Sequence, residues 1–576
     1  MMILPSSQTG CFLCILILSI SNFFVSASYF DEKINKNKNE DAINTYLTKG
    51  NNALASGNLH SAGRSYEACL RMDPNQRYCL INYASVLVDL NAEESDEAII
   101  QQRTNKAQDL LRRVLSLHPK DGDAAFNLAL LLQDSSTSEE ITREAARLYQ
   151  IAVESSDSEG EENWDALANL ASAKQEIGDF LGDYGAARVY ERVIVLLEKM
   201  AQDQEAYLNQ DMSNFEEGEY QYLDAELRAI NEYLSKLYYG YGTVLSELSH
   251  IPGGCLQLMS EDSLLIDWKE PFVKSEGSEQ QKKKDEESAS SVCKMNAINA
   301  LRLAVDLNQN NVVAEHMLAA MTEGGDDSKG RASNEFVSAL FDDFAETFDA
   351  KLESLGYKVP GLVGDAAKEL LAKTGRPSFT SALDAGCGTG LAGRYLRPLV
   401  NGSLVGIDLS KKMLDLASQC TLNRGCGLKE EDTVGSGKQG DKPLYDHLAS
   451  LDLETTTLEQ VGAEIGFDII VAADVFVYFG ALQKLLSNFS KISDASGEHG
   501  AYLIFSCERI EDGEWKLQKS GRYAHSKSYV VDTAASAGYT LVGYDEITPR
   551  FEKGEPVKGH LFRFSLGNDP VAKDEL

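Results

Sequence analysis

Acidic residues and closely spaced glycines share one short stretch of this chain, a combination suited to gripping a small ligand through the backbone. Ser381-Ala382-Leu383-Asp384-Ala385-Gly386-Cys387-Gly388-Thr389-Gly390-Leu391-Ala392-Gly393 reads as an apolar strand, a glycine-rich turn and the start of a helix. Glycine is needed in such a turn because the backbone must bend sharply and let a ligand touch it, while a following helix N-terminus offers unpaired N–H groups to negative charge. The glycines fit two patterns. Gly388, Gly390 and Gly393 spell the dinucleotide fingerprint GxGxxG, whereas Gly386, Gly388 and Gly390 spell GxGxG directly after Asp384.

Asp384 tips the balance between them. At a strand end it would crowd a pyrophosphate with like charge, but it can hold the ammonium of an amino acid, so the expected cofactor is S-adenosyl-L-methionine, a cation with an amino-acid tail. Leu404-Val405-Gly406-Ile407-Asp408 ends in a carboxylate placed for both ribose hydroxyls, although an acidic residue there suits NAD as well. Beyond it Leu409 and Ser410 lead into a helix whose Ser410 can cap and whose Met413 can lie against adenine or simply pack in the core. Leu451-Asp452-Leu453 should end the third strand, with Asp452 accepting from the adenine amino group. The cofactor set is therefore Asp384, Gly386, Gly388, Gly390, Asp408, Leu409, Met413 and Asp452. Residues 428–441 form a Gly/Lys/Glu-rich insertion expected to be mobile.

The elements that must position these residues follow from the hydrophobic pattern. After Gly324-Gly325-Asp326-Asp327 strand-like runs alternate with helical ones, predicting a Rossmann-like doubly wound α/β domain over 334–567. From 42 to 325 the chain repeats itself instead. Gly50, Ala53, Ala62, Tyr66 and Pro74 fall at the spacing of a tetratricopeptide unit, and Ala84, Leu87, Ala107, Leu111 and Pro119 repeat it. Ala129, Leu132, Ala145, Tyr149 and Ala152 form a third unit, Leu167 to Val193 a fourth, and Gly242, Leu245, Ala297, Leu301 and Ala304 a degenerate fifth split by a polar insert at about 253–291. Within that insert, Glu276 to Ser291 is expected to be solvated linker. Such helical hairpins stack into a tetratricopeptide-like α-helical superhelix whose concave side accepts a protein or peptide, or else merely stiffen the neighbouring domain.

Asp384 to Gly390, Gly406-Ile407-Asp408-Leu409-Ser410 and Phe467-Asp468-Ile469-Ile470-Val471-Ala472-Ala473-Asp474-Val475 resemble motifs of class I S-adenosylmethionine-dependent methyltransferases. More narrowly, Phe341-Asp342-Asp343-Phe344-Ala345 with Phe348-Asp349, Leu355-Gly356-Tyr357-Lys358-Val359-Pro360, and Ser520-Gly521-Arg522-Tyr523-Ala524-His525-Ser526 resemble the tetratricopeptide-containing predicted methyltransferases. The resemblance covers roughly 334 to 565 and implies methyl transfer to an acceptor that the family leaves undefined. Acceptor-side residues should come from the end of the fourth strand, where Asp474 and Tyr478 project toward the cleft. Asp474 or His525 is then the expected proton acceptor, against the blander readings of a carboxylate tied to the backbone and a surface-loop histidine. Arg522 could pair with an acceptor carboxylate or with a surface partner. Phe336, Leu340, Phe344 and Phe348 form a stripe that can cross the cofactor mouth, or pack in the core.

The termini carry an address. Residues 1–27 lack Lys, Arg, Asp and Glu and end in Val25-Ser26-Ala27, as a secretory signal peptide does, an uncleaved anchor being the alternative because no basic residue precedes the apolar run, while Lys573-Asp574-Glu575-Leu576 spells the endoplasmic-reticulum retrieval signal. A luminal protein that meets the retrieval receptor and keeps no membrane span after signal cleavage is expected. Of 10 cysteines two fall in the signal, and the rest contain no CxxC pair, which argues against zinc or another metal. Cys255 with Cys293 and Cys420 with Cys426 are possible bridges, free thiols being the alternative; Asn401-Gly402-Ser403, placed in a turn, is a better glycosylation acceptor than Asn488-Phe489-Ser490.

Composition narrows the field of functions. With 54 Lys and Arg against 89 Asp and Glu, the net charge of −35 repels phosphate backbones and makes nucleic acid a poor partner. Two alternatives to a methyltransferase stand: a luminal tetratricopeptide scaffold with a catalytically silent methyltransferase-like fold, and an NAD-dependent oxidoreductase. The first predicts peptide binding without cofactor binding, the second nicotinamide fluorescence on binding. Luminal supply of a charged cofactor is a real obstacle, because such a cation does not cross bilayers unaided.

Overall fold

The computed structural model describes residues 38–92, 94, 96–135, 138–160, 162–209, 217–259, 279–322, 330–421, 442–494, 500–552 and 554–567. The signal peptide, the 428–441 insertion, Cys426 and the terminal retrieval sequence lie outside the described residues. The rest divides into two compact units that meet in sequence between Asn308 and Gln309.

The first unit is helical. Its elements are α1 (Lys38–Ala55), α2 (Leu59–Met72), α3 (Arg77–Asp89), α4 (Glu97–Leu117), α5 (Gly122–Ser135), α6 (Glu139–Glu159), α7 (Trp164–Ile177), α8 (Phe180–Leu208), α9 (Glu217–Leu248), α10 (Gly254–Met259) and α11 (Glu279–Leu307). Neighbours pack as hairpins, α1 on α2, α3 on α4, α5 on α6, α7 on α8 and α9 on α11. The small residues picked out by the repeat pattern sit at those crossings. A Cβ on Gly50 would lie 2.4 Å from the Tyr66 ring, so only glycine lets α1 and α2 approach this closely. Tyr66, Ala84, Ala107, Ala129, Tyr149 and Ala297 are all buried.

Local caps set the hairpin boundaries: the side chains of Asn58, Gln76, Asp96, Ser138, Asn163 and Asp179 each accept an N–H from the first turn of the helix that follows. Two disulfides brace the unit. Cys69–Cys79 ties α2 to α3, a pairing the sequence did not suggest, and Cys255–Cys293 ties α10 to α11, the bridge rather than the free-thiol alternative left open above.

The stretch expected to be linker up to Ser291 is helical from Glu279 onward. Its Lys, Gln and Glu residues are good helix formers, and Ala289 and Cys293 are buried, so packing recruits a turn-rich-looking polar sequence into α11.

The second unit begins earlier than the composition shift suggested. Helix α12 (Val312–Met321), assigned above to the repeats, packs on α13 (Asn334–Phe344) within this unit. His316 fixes it: its ring stacks on Phe336 with centroids 4.0 Å apart, and Nε2 lies 2.8 Å from the Gly521 carbonyl. After α14 (Phe348–Ser354) and α15 (Val359–Thr374) comes an alternation of β1 (Phe379–Ala385), α16 (Gly393–Leu396), β2 (Val400–Asp408), α17 (Lys411–Ser418), β3 (His447–Ser450), β4 (Ile469–Ala472), α18 (Gln483–Ile492) and β5 (Ala501–Arg509). The hairpin β6 (Trp515–Leu517) and β7 (Tyr523–His525), α19 (Lys527–Ser536), β8 (Tyr539–Ile547), the small ribbon β9 (Phe551–Glu552) and β10 (Glu555–Pro556), and β11 (Gly559–Leu566) complete it.

The sheet runs β3-β2-β1-β4-β5-β11-β8, with β3 to β5 mutually parallel and β11 antiparallel to both neighbours. The order reverses at β1 and β4, the point where such sheets open a crevice beyond their strand ends. Central strands are buried along nearly their whole length, as continuous apolar runs covered on both faces must be. Asn401 is exposed but lies in β2 rather than a turn, and the Asn488 amide donates to the carbonyls of Leu453 and Thr456.

Candidate functional site

A cleft of about 1040 Å³, partly open to solvent, lies over the ends of β1, β2 and β4. The turn after β1 supplies its floor. Gly386, Gly388 and Gly390 have φ of 72°, 53° and 96°, the left-handed region that glycine adopts without strain. Gly386 has a second reason, since a Cβ there would stand 2.4 Å from Val475. The N–H groups of Gly386 and Cys387 both donate to the Ile407 carbonyl, pinning the turn to β2. The helix expected after the turn is a single turn, α16, so its N-terminus is not the main anion-attracting feature.

Asp408, at the end of β2, faces this floor. Its Oδ2 accepts from the Gly388 N–H and its Oδ1 from the Ser410 N–H, each at 2.9 Å, which leaves a lone pair on each oxygen for a ligand hydroxyl. Burial holds its pKa above the usual carboxylate range despite these bonds. Leu409 lines the cleft beside it.

Three of the expected cofactor residues do something else. Asp384 is buried beneath the turn and does not line the cleft; its Oδ2 accepts from the Tyr445 hydroxyl at 2.6 Å, its Oδ1 has no partner, and burial lifts its pKa to about 7. Met413 is fully buried, because the apolar face of α17 that carries Met413, Leu414 and Ala417 turns to the core. Asp452 does line the cleft, but its oxygens accept from Arg331, Asn334 and the Glu454 N–H, which hold its pKa down. It anchors the chain entering α13 from within the cleft.

The cleft is roofed by that chain and the helices it leads into. Arg331 lies over the Phe479 ring, the Ala332 N–H donates to the Tyr478 carbonyl, Asp342 accepts from the Ser410 hydroxyl, and Asp349 accepts from the Thr389 hydroxyl. Of the expected stripe only Phe348 faces the cleft, while Phe336, Leu340 and Phe344 are core residues. Val337 and Phe341, one residue or about 100° further around α13 than Phe336 and Leu340, line the cleft in their place.

Beyond β4 stands the opposite wall of the cleft. Asp474 has φ 61°, alone among described non-glycine residues in having a positive φ. Its N–H donates to the Ser506 hydroxyl, its Oδ2 accepts from Arg550, its Oδ1 is buried without a partner, and burial raises its pKa to about 6. Tyr478 lines the same wall, its hydroxyl made less acidic by burial. His525 does not reach it. Strand pairing of β7 turns the ring into the core, where Nε2 meets the Gly480 carbonyl at 3.2 Å and burial lowers its pKa to about 4.

Sequence reading missed the charged layer behind this wall. Arg550, 1% exposed, joins Asp474, Glu508 and Glu552, and Arg522 pairs with Glu552 at 2.6 Å. Burial raises the Glu508 pKa to about 7, and the surrounding carboxylates strengthen the charged form of Arg522. Nothing in the local pattern near Arg550 marks it; Asp342 and Asp349 did lie in quoted motifs, without an assigned role.

The site fits an S-adenosyl cofactor: a backbone cradle open at Gly388, where a Cβ would meet nothing nearer than 3.8 Å, adjoins a hydroxyl-accepting carboxylate and an apolar roof. Residues 383–498 match the family model of the methyltransferase domain. Among solved structures the chain is similar to magnesium protoporphyrin IX methyltransferase from Synechocystis PCC 6803 with bound SAH, at 16% identity over 40% of this chain and 99% of that one, TM-score 0.29. It is also similar to an S-adenosylmethionine-dependent methyltransferase from Clostridium acetobutylicum, at 18% identity over 38% and 98%, TM-score 0.26. No curated protein sequence matches. With the family match falling on the strand, turn and carboxylate just described, residues 383–498 of the second unit form a methyltransferase domain.

Proposed function

We propose that this protein transfers a methyl group from S-adenosylmethionine to an acceptor brought to it by the helical unit, which we read as a tetratricopeptide superhelix. The observation that carries the catalytic half is the pairing of the left-handed glycine turn with Asp408 through the Gly388 N–H. When bound, the cofactor supplies a methyl group already activated by its sulfonium, so the protein's task is alignment more than bond chemistry. Gly386, Gly388 and Gly390 give backbone access, Asp408 holds hydroxyls, and Val337, Phe341 and Phe348 exclude water from above. Asp474 and Tyr478 stand where an acceptor meets that methyl group.

Recruitment by the first unit is supported by its run of hairpins with glycine and alanine at the crossings. Residence in the endoplasmic-reticulum lumen, with capture by the retrieval receptor, is supported by the terminal sequences, and two disulfides suit an oxidising compartment. Among the described residues no helix is long and apolar enough to cross a membrane. Calorimetry of the purified protein with S-adenosylhomocysteine tests the catalytic half: binding lost in Asp408→Ala supports it, and absence of binding at millimolar ligand refutes it. Imaging the full chain with and without its last four residues tests the address, which fails if both forms are retained alike.

A further inference from the structure

The acceptor wall has a chemical bias that narrows the substrate class; this inference rests on the methyltransferase reading above. Behind the wall Asp474, Glu508 and Glu552 share Arg522 and Arg550. One oxygen of this layer is left over. Asp474 Oδ1 is buried and unpartnered, whereas Oδ2 is committed to Arg550 and the backbone N–H to Ser506.

Asp474 is also held in the left-handed backbone region, a strain that persists only where the surroundings impose it and that clusters at functional sites. In front of it, Phe341 stands edge-to-face with both Tyr478 and Phe348, centroids 5.5 Å and 5.7 Å apart, and Tyr357 completes an aromatic wall. Aromatic faces beside an unpaired carboxylate attract a cationic nitrogen and repel carboxylates and phosphates. Arg522 Nε, likewise buried and unpartnered on this wall, offers one donor for an oxygen near that nitrogen.

We propose that the acceptor is an amine with a carbonyl or hydroxyl oxygen close to its nitrogen, and that Asp474 Oδ1 is the group that binds and deprotonates it. The nitrogen lone pair forms the N–C bond as the C–S bond breaks, its electron pair passing to sulfur and leaving the neutral thioether. The bound ammonium first gives one proton to Asp474 Oδ1, which passes it to solvent and so frees the lone pair, and the proton left in surplus after methyl transfer follows by the same route. A carboxylate lifted to about 6 accepts that proton more readily than an ordinary aspartate would, yet it remains far too weak to ionise an alcohol.

The test uses the full chain, methyl-labelled cofactor and four peptides of one sequence. One has a free α-amine; three are N-acetylated and carry, respectively, a lysine, a serine and an extra glutamate. Labelled nitrogen on the free-amine peptide, located by fragmentation mass spectrometry, is expected, because only its nitrogen lies beside a carbonyl; label on the lysine peptide alone overturns the oxygen contact. Without turnover, the free-amine peptide should also bind the S-adenosylhomocysteine-loaded protein more tightly than the acetylated serine peptide.

Asp474→Asn, which tolerates positive φ, should lose at least about 100-fold in transfer rate while S-adenosylhomocysteine affinity stays within about threefold. Label on oxygen, carbon or sulfur overturns the proposal, as does cofactor binding with no amine labelled. Failure of the wild-type chain to bind S-adenosylhomocysteine marks instead the failure of the methyltransferase reading. The wild-type peptide comparison stands whether or not the variant folds.

Discussion

Replacing Asp408 by alanine should weaken binding of S-adenosylhomocysteine by several orders of magnitude while leaving the fold in place. The carboxylate contributes in two ways. It holds the turn through the Gly388 and Ser410 N–H groups, each at 2.9 Å, and it keeps one lone pair per oxygen for the ribose hydroxyls. A hydrogen bond to a charged group contributes about 1.5–3 kcal/mol net, so two lost hydroxyl contacts amount to roughly 3–6 kcal/mol. At about 1.4 kcal/mol per tenfold, the dissociation constant should rise between about 10²-fold and 10⁴-fold. Asp408→Asn, which keeps one acceptor oxygen, should fall between wild type and alanine.

Titration calorimetry gives the affinities, and circular dichroism confirms that each variant still melts cooperatively. A deoxyribose analogue supplies the cross-check: removing a hydroxyl should weaken binding to wild type and change little in Asp408→Ala. Should the alanine variant bind within threefold of wild type, the placement of the ribose against β2 is wrong.

Other consequences can be measured separately. Gly386→Ala puts a Cβ 2.4 Å from Val475 at φ 72°, and should cost at least about 2 kcal/mol in urea unfolding; a change under 0.5 kcal/mol would count against the packing described. Asp384, with a pKa of about 7 when folded and an ordinary value near 4 when unfolded, binds its proton more tightly in the native state. Its contribution to stability is therefore complete below about pH 4 and lost as pH rises through 7, so Asp384→Asn should gain on wild type by a few kcal/mol between pH 4.5 and 8 in denaturant titrations. Equal pH dependence in the two proteins would refute that burial argument. Met413→Leu should leave S-adenosylhomocysteine affinity unchanged and cost under about 1.5 kcal/mol, since the side chain packs in the core and not on the ligand. Cys69→Ala with Cys79→Ala removes a cross-link of sequence separation 10 and should destabilise the helical unit by about 3 kcal/mol, read from its thermal melt.

The site was partly legible in the chain because part of it is local. Gly386, Gly388 and Gly390 announce a turn that only glycine can make, and Asp408 follows at the end of the next strand, so both come from consecutive segments whose geometry strand and turn propensities dictate. Side-chain direction was harder. Phe341 faces the cleft and Phe344 the core because helix phase depends on how α13 lies against its neighbours, which no periodicity states by itself. For the same reason Met413, His525 and Asp384 turned inward, each on the buried side of its helix or strand.

By itself, then, the sequence determined the things that short-range physics governs: helical hairpins in the first half, an alternating α/β unit in the second, and a glycine turn with a carboxylate one strand away. The tertiary structure alone decided what long-range pairing governs. Arg550 lies 76 residues from Asp474 and 42 from Glu508, and Asp452 meets Arg331 across 121 residues. Charges so far apart in the chain become partners only when the sheet brings β4, β5 and the segment after β8 side by side. Burial then prevents water from satisfying them, so each must find its partner within the fold.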